Sequence, residues 1–413
     1  MKKYGLILYI FCILIIMSIA YIPKNTNAAN PSDDVSDEKL KENFKYIEML
    51  QKINPYQPMS RGRQIKELSN INNADDLIKL LKSNDGAKYT YLIIDKLVNY
   101  PTKETVEILK NILLNPREEE GLRCKAAEAL LLIGDKSVEP AVIQALHGAE
   151  NLHSLRYYCV MTLSVVGSSD SLYLLTDILR NDRKERIREA ASLSLGAIGD
   201  ERALSVLEYT MNSGYETESM KSTTARALGL MGTKKALAIV VPHLNSELLL
   251  VQLSAILAIA DSGDRDMEKE LVKVIEKPKN KTAELYAIVV LYYLTGKPEY
   301  EKLIMTKYEK GDQQYQIDLF GLMQSFNFEG PQELLIKAVS NNSDEIALYC
   351  TRLLIKHGAT DKQLEKWGLK KSILEQYEII KKDLVSKGII KENTETTPKE
   401  GTGKTEEELL KEQ

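Results

Sequence analysis

The sequence predicts an all-α protein, built as a right-handed α-solenoid of about nine to ten stacked helical hairpins. Glycine recurs with gaps of 33, 32, 33, 31 and 33 residues, at Gly134, Gly167, Gly199, Gly232, Gly263 and Gly296. The residue types at fixed distances from each glycine recur with it. Apolar residues between the glycines follow the spacing of one helix face. A period of this length accommodates one helical hairpin, so each glycine marks one repeat.

The chain opens with a segment typical of an export signal. Lys2 and Lys3 precede an apolar run that carries no charge until Lys24, and small residues such as Ala28 follow. This order predicts a signal peptide over residues 1–29. The run is nearly long enough to span a bilayer, so an uncleaved N-terminal membrane anchor is the alternative. We expect a protein exported to the periplasm or cell envelope, or one anchored with its body outside the cytoplasm.

The rest of the chain divides by composition. Residues 30–60 are expected to form a linker and an N-terminal capping helix, the helix covering 37–54. Residues 61–388 carry the repeats and end in a helix predicted over 371–387. Residues 389–413 are polar and charged, which predicts a disordered tail.

Each repeat begins with a helix whose residues recur in register. Small residues lie eight positions before the marker glycine and large aliphatic residues four positions before it, which places both on the buried face of the helix. The column eleven positions before the glycine is long and polar: Arg123, Arg156, Arg188, Lys221 and Gln252. Glycine ends the helix, and the next residue predicts the N-cap of a second helix. That column holds Asp135, Ser168, Asp200, Thr233 and Asp264.

The second helix of each repeat follows the cap residue. Its apolar residues lie roughly five, seven, eight, eleven and twelve positions after the marker glycine, which is again one helix face. Leu204, Val206, Leu207 and Met211 show this spacing in one repeat. Two amphipathic helices joined by a glycine turn cannot bury their apolar faces alone, so neighbouring hairpins must stack to form the core.

Two segments, "LRCKAAEALLLIGDKSVEPAVIQAL" (122–146) and "IREAASLSLGAIGDERALSVL" (187–207), carry the strongest motif. They resemble the HEAT repeat, in the short variety first noticed in phycobilisome lyases. The resemblance is strong from 121 to 263 and weaker towards both ends of the repeat region. It implies a HEAT-like superhelix of the armadillo-like helical type.

The resemblance also implies a structural role for the recurring charged residues. In such arrays these side chains bridge neighbouring hairpins and fix the turns between helices. We call them the ladder residues: Arg123, Arg156, Arg188, Lys221, Asp135, Asp200 and Asp264. A row of ligand-binding arginines is the alternative. A catalytic pair formed by Arg188 and Asp200 is disfavoured because both positions recur in several repeats.

Composition and motifs argue against several function classes. The formal net charge of −4 gives no reason to expect nucleic-acid binding. The four histidines form no His-Glu dipeptide and no H-E-x-x-H motif, and paired C-x-x-C motifs are missing, so we expect no metal and no cofactor. "GTGKT" (401–405) lacks the first glycine of a phosphate loop, because Pro398 stands there. Cys159 and Cys350 occupy small-residue slots, whereas Cys124 lies out of that register, so a disulfide between adjacent repeats is not expected.

The second helices hold the candidate partner-binding face. The resemblance implies that second helices line the concave surface, and their positions off the apolar face are Ile143, His147, Tyr173, Arg180, Tyr209 and Val241. His243 falls in a core slot instead. We expect an exported, non-enzymatic scaffold that binds an unidentified protein partner in the cell envelope. An enzyme or enzyme subunit of the HEAT-like lyase type is the alternative, and the oligomeric state stays open.

Overall fold

The structure is a computed structural model, which describes residues 68, 71–83, 86–325, 328, 330–357 and 359–386. The predicted signal or anchor (1–29), the linker and capping helix (30–60) and the charged tail (389–413) lie outside the described residues. The described part contains twenty α-helices and no β-strand, which confirms the all-α stack of helical hairpins. No helix within this part combines the length and apolar character that a bilayer crossing needs.

The chain divides into two compact units, residues 1–328 and 329–413. In the first unit the helices are α1 (Ala74–Leu81), α2 (Thr90–Leu97), α3 (Lys103–Leu114), α4 (Glu120–Ile133), α5 (Glu139–His147), α6 (His153–Val166), α7 (Ser169–Asn181), α8 (Glu185–Ile198), α9 (Leu204–Asn212), α10 (Glu218–Met231), α11 (Lys234–Val240), α12 (Leu249–Ser262), α13 (Glu268–Glu276), α14 (Lys281–Thr295), α15 (Pro298–Lys310) and α16 (Gln313–Ser325).

The second unit contains α17 (Gln332–Ala338), α18 (Asp344–Lys356), α19 (Asp361–Lys366) and α20 (Lys371–Ser386). Its core includes the buried side chains of Leu334, Leu335, Ile346, Cys350, Leu354, Leu364 and Ile373. A capping box begins α19, where the Thr360 side chain accepts a hydrogen bond from the backbone N–H of Gln363 and the Gln363 side chain accepts one from the backbone N–H of Thr360. This box satisfies backbone donors that a six-residue helix cannot pair internally.

The glycine turns of the first unit follow from backbone conformation. Five marker glycines, Gly134, Gly199, Gly232, Gly263 and Gly296, adopt φ between 61° and 73°. This left-handed conformation is the usual end of a helix and favours glycine because it has no Cβ atom. Gly167 differs, since it ends α6 in an extended conformation with φ −66°. A Cβ atom on Gly167 would lie 2.3 Å from the carbonyl oxygen of Leu163, so that turn also requires glycine.

The long helices α4, α6, α8, α10, α12 and α14 pack side by side in one layer, and the shorter second helices form another. The small column at Ala126, Cys159, Ala191, Thr224 and Ala255 is fully buried, and so is the aliphatic column at Leu130, Leu163, Leu195, Leu228 and Ile259. Polar contacts join the long helices directly. Thr162 Oγ1 donates to the carbonyl oxygen of Ala127 at 3.0 Å, and Ser194 Oγ donates to that of Val160 at 2.8 Å. These short contacts show that the long-helix layer is closely spaced.

Candidate functional site

The polar column eleven residues before the marker glycine lies at the loops between hairpins. Arg123 is buried, and its Nε donates to the carbonyl oxygen of Leu113 at 2.9 Å. Arg156 forms an ion pair with Asp182, which directly follows α7. Leu113 lies in the last turn of α3, before the helix of Arg123, and Asp182 lies in the loop after the hairpin of Arg156. The column therefore contacts the chain both before and after its own hairpin.

Arg188 makes both kinds of contact at once. Its Nη1 donates to the carbonyl oxygen of Asp182 at 3.2 Å, and its Nη2 donates to Glu216 Oε2 at 3.0 Å. Gln252 repeats this arrangement without a charge, because its Nε2 donates to the carbonyl oxygen of Leu244 at 2.8 Å and its Oε1 accepts from Asn280 Nδ2 at 3.0 Å. A planar guanidinium or amide can satisfy two loops simultaneously, which explains why both residue types occur in this column.

The acidic ladder residues lie at the other end of the long helices. Asp135, Asp200 and Asp264 each accept a hydrogen bond at 2.9 Å from the backbone N–H two residues later, and so cap the turn into the second helix. Asp200 also binds the Arg202 side chain, which lowers the pKa of its carboxyl to about 2. The structure therefore does not bring Arg188 and Asp200 together.

Lys221 is the fourth basic ladder residue and lies half-buried in α10. Burial and the positive charge of Lys221 both lower the pKa of His243. His243 is half-buried, and its Nε2 lies 3.1 Å from Asn212 Oδ1. The His243 ring thus bonds to a residue of the preceding hairpin and is not fully enclosed in the core.

A second column of carboxylates joins neighbouring hairpins, and the sequence analysis missed it. Glu120 Oε1 accepts from the backbone N–H groups of Ser154 at 3.1 Å and Leu155 at 3.3 Å. Glu218 Oε1 accepts from the N–H of Leu250 at 3.0 Å. Each glutamate begins one long helix and caps the next, where the helix dipole favours negative charge. The signal was present, because both glutamates lie fourteen residues before a marker glycine, as does Glu185.

Glu139 and Glu268, each five residues after a marker glycine, join the second helices of neighbouring hairpins. Glu139 Oε1 accepts from the N–H of Ser168 at 2.8 Å and from the hydroxyls of Ser168 and Ser171. These hydrogen bonds outweigh burial and lower the pKa of Glu139. Glu268 Oε1 accepts from Lys297 Nζ at 2.6 Å and from Tyr300 Oη at 2.7 Å.

A buried ion pair in the long-helix layer was also missed. The guanidinium of Arg226 in α10 donates to both carboxylate oxygens of Asp261 in α12, from Nη2 to Oδ1 at 2.8 Å and from Nε to Oδ2. Both side chains are at most 5% exposed, and Arg226 Nη1 has no hydrogen-bond partner. Burial raises the pKa of Asp261, and the Arg226 charge opposes that rise. Neither residue belongs to a recurring column, so the repeat pattern contained no signal for the pair.

The candidate partner-binding residues occupy four successive second helices or their ends. Tyr173 in α7 is 84% exposed and Tyr209 in α9 is 66% exposed. His147 and Arg180 are exposed at the ends of α5 and α7, whereas Ile143 and Val241 are half-buried. An open depression of about 370 Å³ lies beside Tyr209 and is lined by Ser205, Glu208, Tyr209, Asn212 and Ser213. This face therefore combines two exposed phenol rings with a shallow, open depression.

The three thiols of the described part of the chain are buried. Cys124, Cys159 and Cys350 are free cysteines, so no disulfide joins the adjacent repeats of the first two. Burial raises the pKa of Cys124 to about 12, which suppresses its reactive thiolate form. No group of three or more histidine, cysteine, aspartate or glutamate side chains with metal-binding geometry occurs among the described residues.

The structural role of Arg188 leads to a prediction. We expect Arg188→Ala to lower the free energy of unfolding by about 2 kcal/mol, because two charge-assisted hydrogen bonds to neighbouring loops are lost. Arg188→Lys should recover less than half of the loss, since an ammonium group does not reproduce the fork. Urea unfolding followed by circular dichroism measures both changes. Arg183→Ala, at an exposed loop position, is the control, and an equal effect of the two alanine variants would contradict the prediction.

Comparisons with known proteins agree with this architecture. Residues 106–195 and 139–218 match the family model of HEAT repeats. The comparison with curated proteins gives no match. The matched segments include the ladder residues from Arg123 to Arg188 and the exposed Tyr173 and Tyr209.

Several solved structures are similar to the chain at low identity. Human deoxyhypusine hydroxylase in complex with glycerol is 18% identical, with 55% of this chain and 97% of that chain covered and a TM-score of 0.25. The complex of CpcE and CpcF of phycocyanin lyase from Nostoc sp. PCC7120 is 16% identical, covering 78% and 99%, with a TM-score of 0.29. An engineered protein is 16% identical, covering 75% and 99%, with a TM-score of 0.33. The stack of paired helices across residues 106–218 is a HEAT-repeat array.

Proposed function

We propose that the chain is an exported scaffold without catalytic activity, which binds another protein of the cell envelope through its second helices. The observation that carries this proposal is the exposure of Tyr173 and Tyr209, at 84% and 66%, on the neighbouring second helices α7 and α9. Large aromatic side chains are the residues that most often dominate protein interfaces, because they bury a large area with few rotatable bonds. Two such rings on adjacent helices provide a compact anchor.

The surroundings of the two rings suit a protein contact. Arg180 lies two helical turns after Tyr173 on the same face of α7, and Asn212 and Glu208 flank Tyr209 at the depression. Arginine and tyrosine are enriched at interfaces, and a polar rim can pair with a partner's backbone. The face thus offers aromatic anchors surrounded by hydrogen-bonding groups.

Export is the second part of the proposal and depends on the N-terminal segment. Lys2, Lys3 and the apolar run support a signal peptide or anchor, and both would deliver the repeats across a membrane. A lyase-type enzyme or enzyme subunit is the alternative. The depression beside Tyr209 favours binding over catalysis, because it is open to solvent and Glu208 is the only carboxylate that lines it.

Affinity capture from isolated cell envelopes tests the binding role. The full chain, a Tyr173→Ala/Tyr209→Ala variant and a Tyr91→Ala control, whose tyrosine is exposed outside both proposed surfaces, are compared, and the captured proteins are identified by mass spectrometry. We expect one partner that the wild type and the control retain and that the double variant loses by at least tenfold, equivalent to about 1.4 kcal/mol. Capture of the same proteins by all three chains would refute the role of this face. N-terminal sequencing of the mature chain tests export and separates cleavage from anchoring.

A further inference from the structure

A second surface lies at the edge of the stack formed by the loops between hairpins. We define the loop edge as four consecutive loops with the first residues of the helices that follow them, 182–188, 213–218, 245–249 and 277–281, at the starts of α8, α10, α12 and α14. These loops are tied to one another. Arg188 contacts both Asp182 and Glu216, and Lys279 Nζ donates to the carbonyl oxygen of Asn245 at 2.6 Å. The loop edge is therefore a row of linked loops, which adjoins the depression beside Tyr209 because Ser213 belongs to both.

The middle of the loop edge is apolar. Tyr215 is 98% exposed, Leu248 is 44% exposed and Leu249 is 38% exposed. They make up three of the six large apolar side chains that are exposed among the described residues. Concentration in two adjacent loops distinguishes them from the scattered exposed apolar residues that any protein surface carries.

The outer loops of the edge are basic. Arg183, Lys184 and Arg186 are exposed on one side of the apolar residues, and Lys277, Lys279 and Lys281 are exposed on the other. Residues 182–188, 213–218, 245–249 and 277–281 together carry seven basic and five acidic side chains, whereas the whole chain carries 55 and 59. The basic residues thus collect here in a chain that is acidic overall.

Most of the acidic side chains at the edge are already engaged. Asp182 pairs with Arg156, Glu216 with Arg188, and Glu247 with Lys279. Glu218 caps the N–H of Leu250. Within the described part of the chain, the basic residues that form no ion pair include Arg183, Lys184, Lys277 and Lys281, so their charges are available to an external anion.

We propose that the loop edge binds the surface of a lipid bilayer that contains anionic phospholipid. Tyr215, Leu248 and Leu249 enter the boundary between headgroups and acyl chains, where tyrosine is enriched and leucine gains from leaving water. The two basic clusters contact the headgroup phosphates on either side of these three apolar side chains. Attraction of lysine and arginine to an anionic leaflet adds to the burial of apolar area, and neither contribution needs a groove.

A lipid surface fits this arrangement better than an acidic protein does. Side chains that project from successive loops, about 10 Å apart in helix packing, can all reach one flat surface at the same time. A protein partner would instead need a complementary ridge for each protruding ring. Binding to an acidic polypeptide is consequently an outcome that the test must separate.

The experiment uses a fluorescent probe that reports which edge of the stack touches the bilayer. The full chain carries Cys12→Ser and either Gly214→Cys or Ala197→Cys, labelled with an environment-sensitive fluorophore. A Cβ atom on Gly214 meets nothing within 4 Å, and Ala197 is exposed at the opposite end of α8 from the loop edge. The remaining cysteines of the described residues are buried. The two labelled variants differ only in the position of the fluorophore. Anchoring by the N-terminal segment alone therefore cannot bring position 214 closer to the bilayer than position 197.

Vesicles of phosphatidylcholine with and without phosphatidylglycerol are added, and nitroxide-labelled lipids serve as quenchers. We expect the emission at position 214 to rise at least twofold with anionic vesicles and to be quenched by the nitroxide-labelled lipids, while the emission at position 197 does not respond.

Tyr215→Ser/Leu248→Ser/Leu249→Ser should abolish the response, and replacing Lys277, Lys279 and Lys281 by glutamine should raise the required lipid concentration at least tenfold. Tyr173→Ser is the matched control and should leave the response unchanged. An unresponsive position 214, equal responses at both positions, or the same response to polyglutamate without vesicles would overturn the proposal.

Discussion

Replacing Gly229 by alanine is expected to lower the free energy of unfolding by about 3 kcal/mol. Gly229 lies in α10 where this helix crosses α12. A Cβ atom there would lie 2.5 Å from both the Cα atom and the carbonyl oxygen of Ala258. Both are backbone atoms, so the clash can be relieved only if one whole helix moves. Alanine normally favours a helix over glycine by about 1 kcal/mol, and this gain is too small to offset the separation of two helices.

The consequence reaches beyond one residue because the fold is a stack. Its stability is a sum of hairpin contributions and interface contributions between neighbours, so damage at the interface between α10 and α12 weakens the coupling of the two halves. Urea unfolding of Gly229→Ala should therefore show a lower midpoint and a broader or divided transition. Gly214→Ala is the control, since a Cβ atom there meets open space, and it should change stability by less than about 0.5 kcal/mol. A Gly229 variant as stable as this control would contradict the close approach.

The close approach of α10 and α12 at Gly229 also shows which features of the fold the sequence predicts and which it does not. Ala126 and Cys159 belong to a recurring column of small residues, and both are fully buried, as predicted. Gly229 has a counterpart in Gly196 of the preceding repeat, but the same place holds Leu131 in an earlier one. Glycine is required here by the short distance between two particular helices, so it does not recur at this position in every repeat. A repeat pattern shows the residues that every hairpin requires, but not those that only one pair of neighbouring hairpins requires.

The candidate surfaces show a similar division. Sequence spacing placed Tyr173 and Ile143 equally off the apolar face, but Tyr173 is exposed and Ile143 is half-buried. Spacing defines the direction of a side chain on its own helix and does not report how far a neighbouring helix covers it. The loop edge was missed for another reason, since Tyr215 and Leu248 lie in loops between repeats, in sequence segments that show no helical period.

The buried pair of Arg226 and Asp261 is the place where one substitution should do most harm. We expect Arg226→Met to lower the free energy of unfolding by about 4 kcal/mol at pH 7.5, because Asp261 is left as an uncompensated buried charge. Asp261→Asn should be similarly harmful, because it leaves the Arg226 guanidinium as a buried charge that cannot be neutralised by deprotonation. Replacing both residues of the pair by apolar ones, through Arg226→Met/Asp261→Leu, should restore most of the stability, because desolvation of both charges is then avoided.

The pH dependence of Arg226→Met separates a lost charge partner from lost packing. Burial already raises the pKa of Asp261, and removal of Arg226 removes the charge that opposes this rise. The folded variant then binds a proton that the unfolded chain binds only near its ordinary pKa of about 4. Its stability should consequently increase as pH falls from 8 towards 5, by up to about 1.4 kcal/mol per pH unit between the unfolded and folded pKa values. Arg226→Met/Asp261→Asn cannot titrate at this site and should lack the added slope. Urea unfolding at several pH values measures both variants, and equal slopes would mean that the loss comes from packing instead of charge.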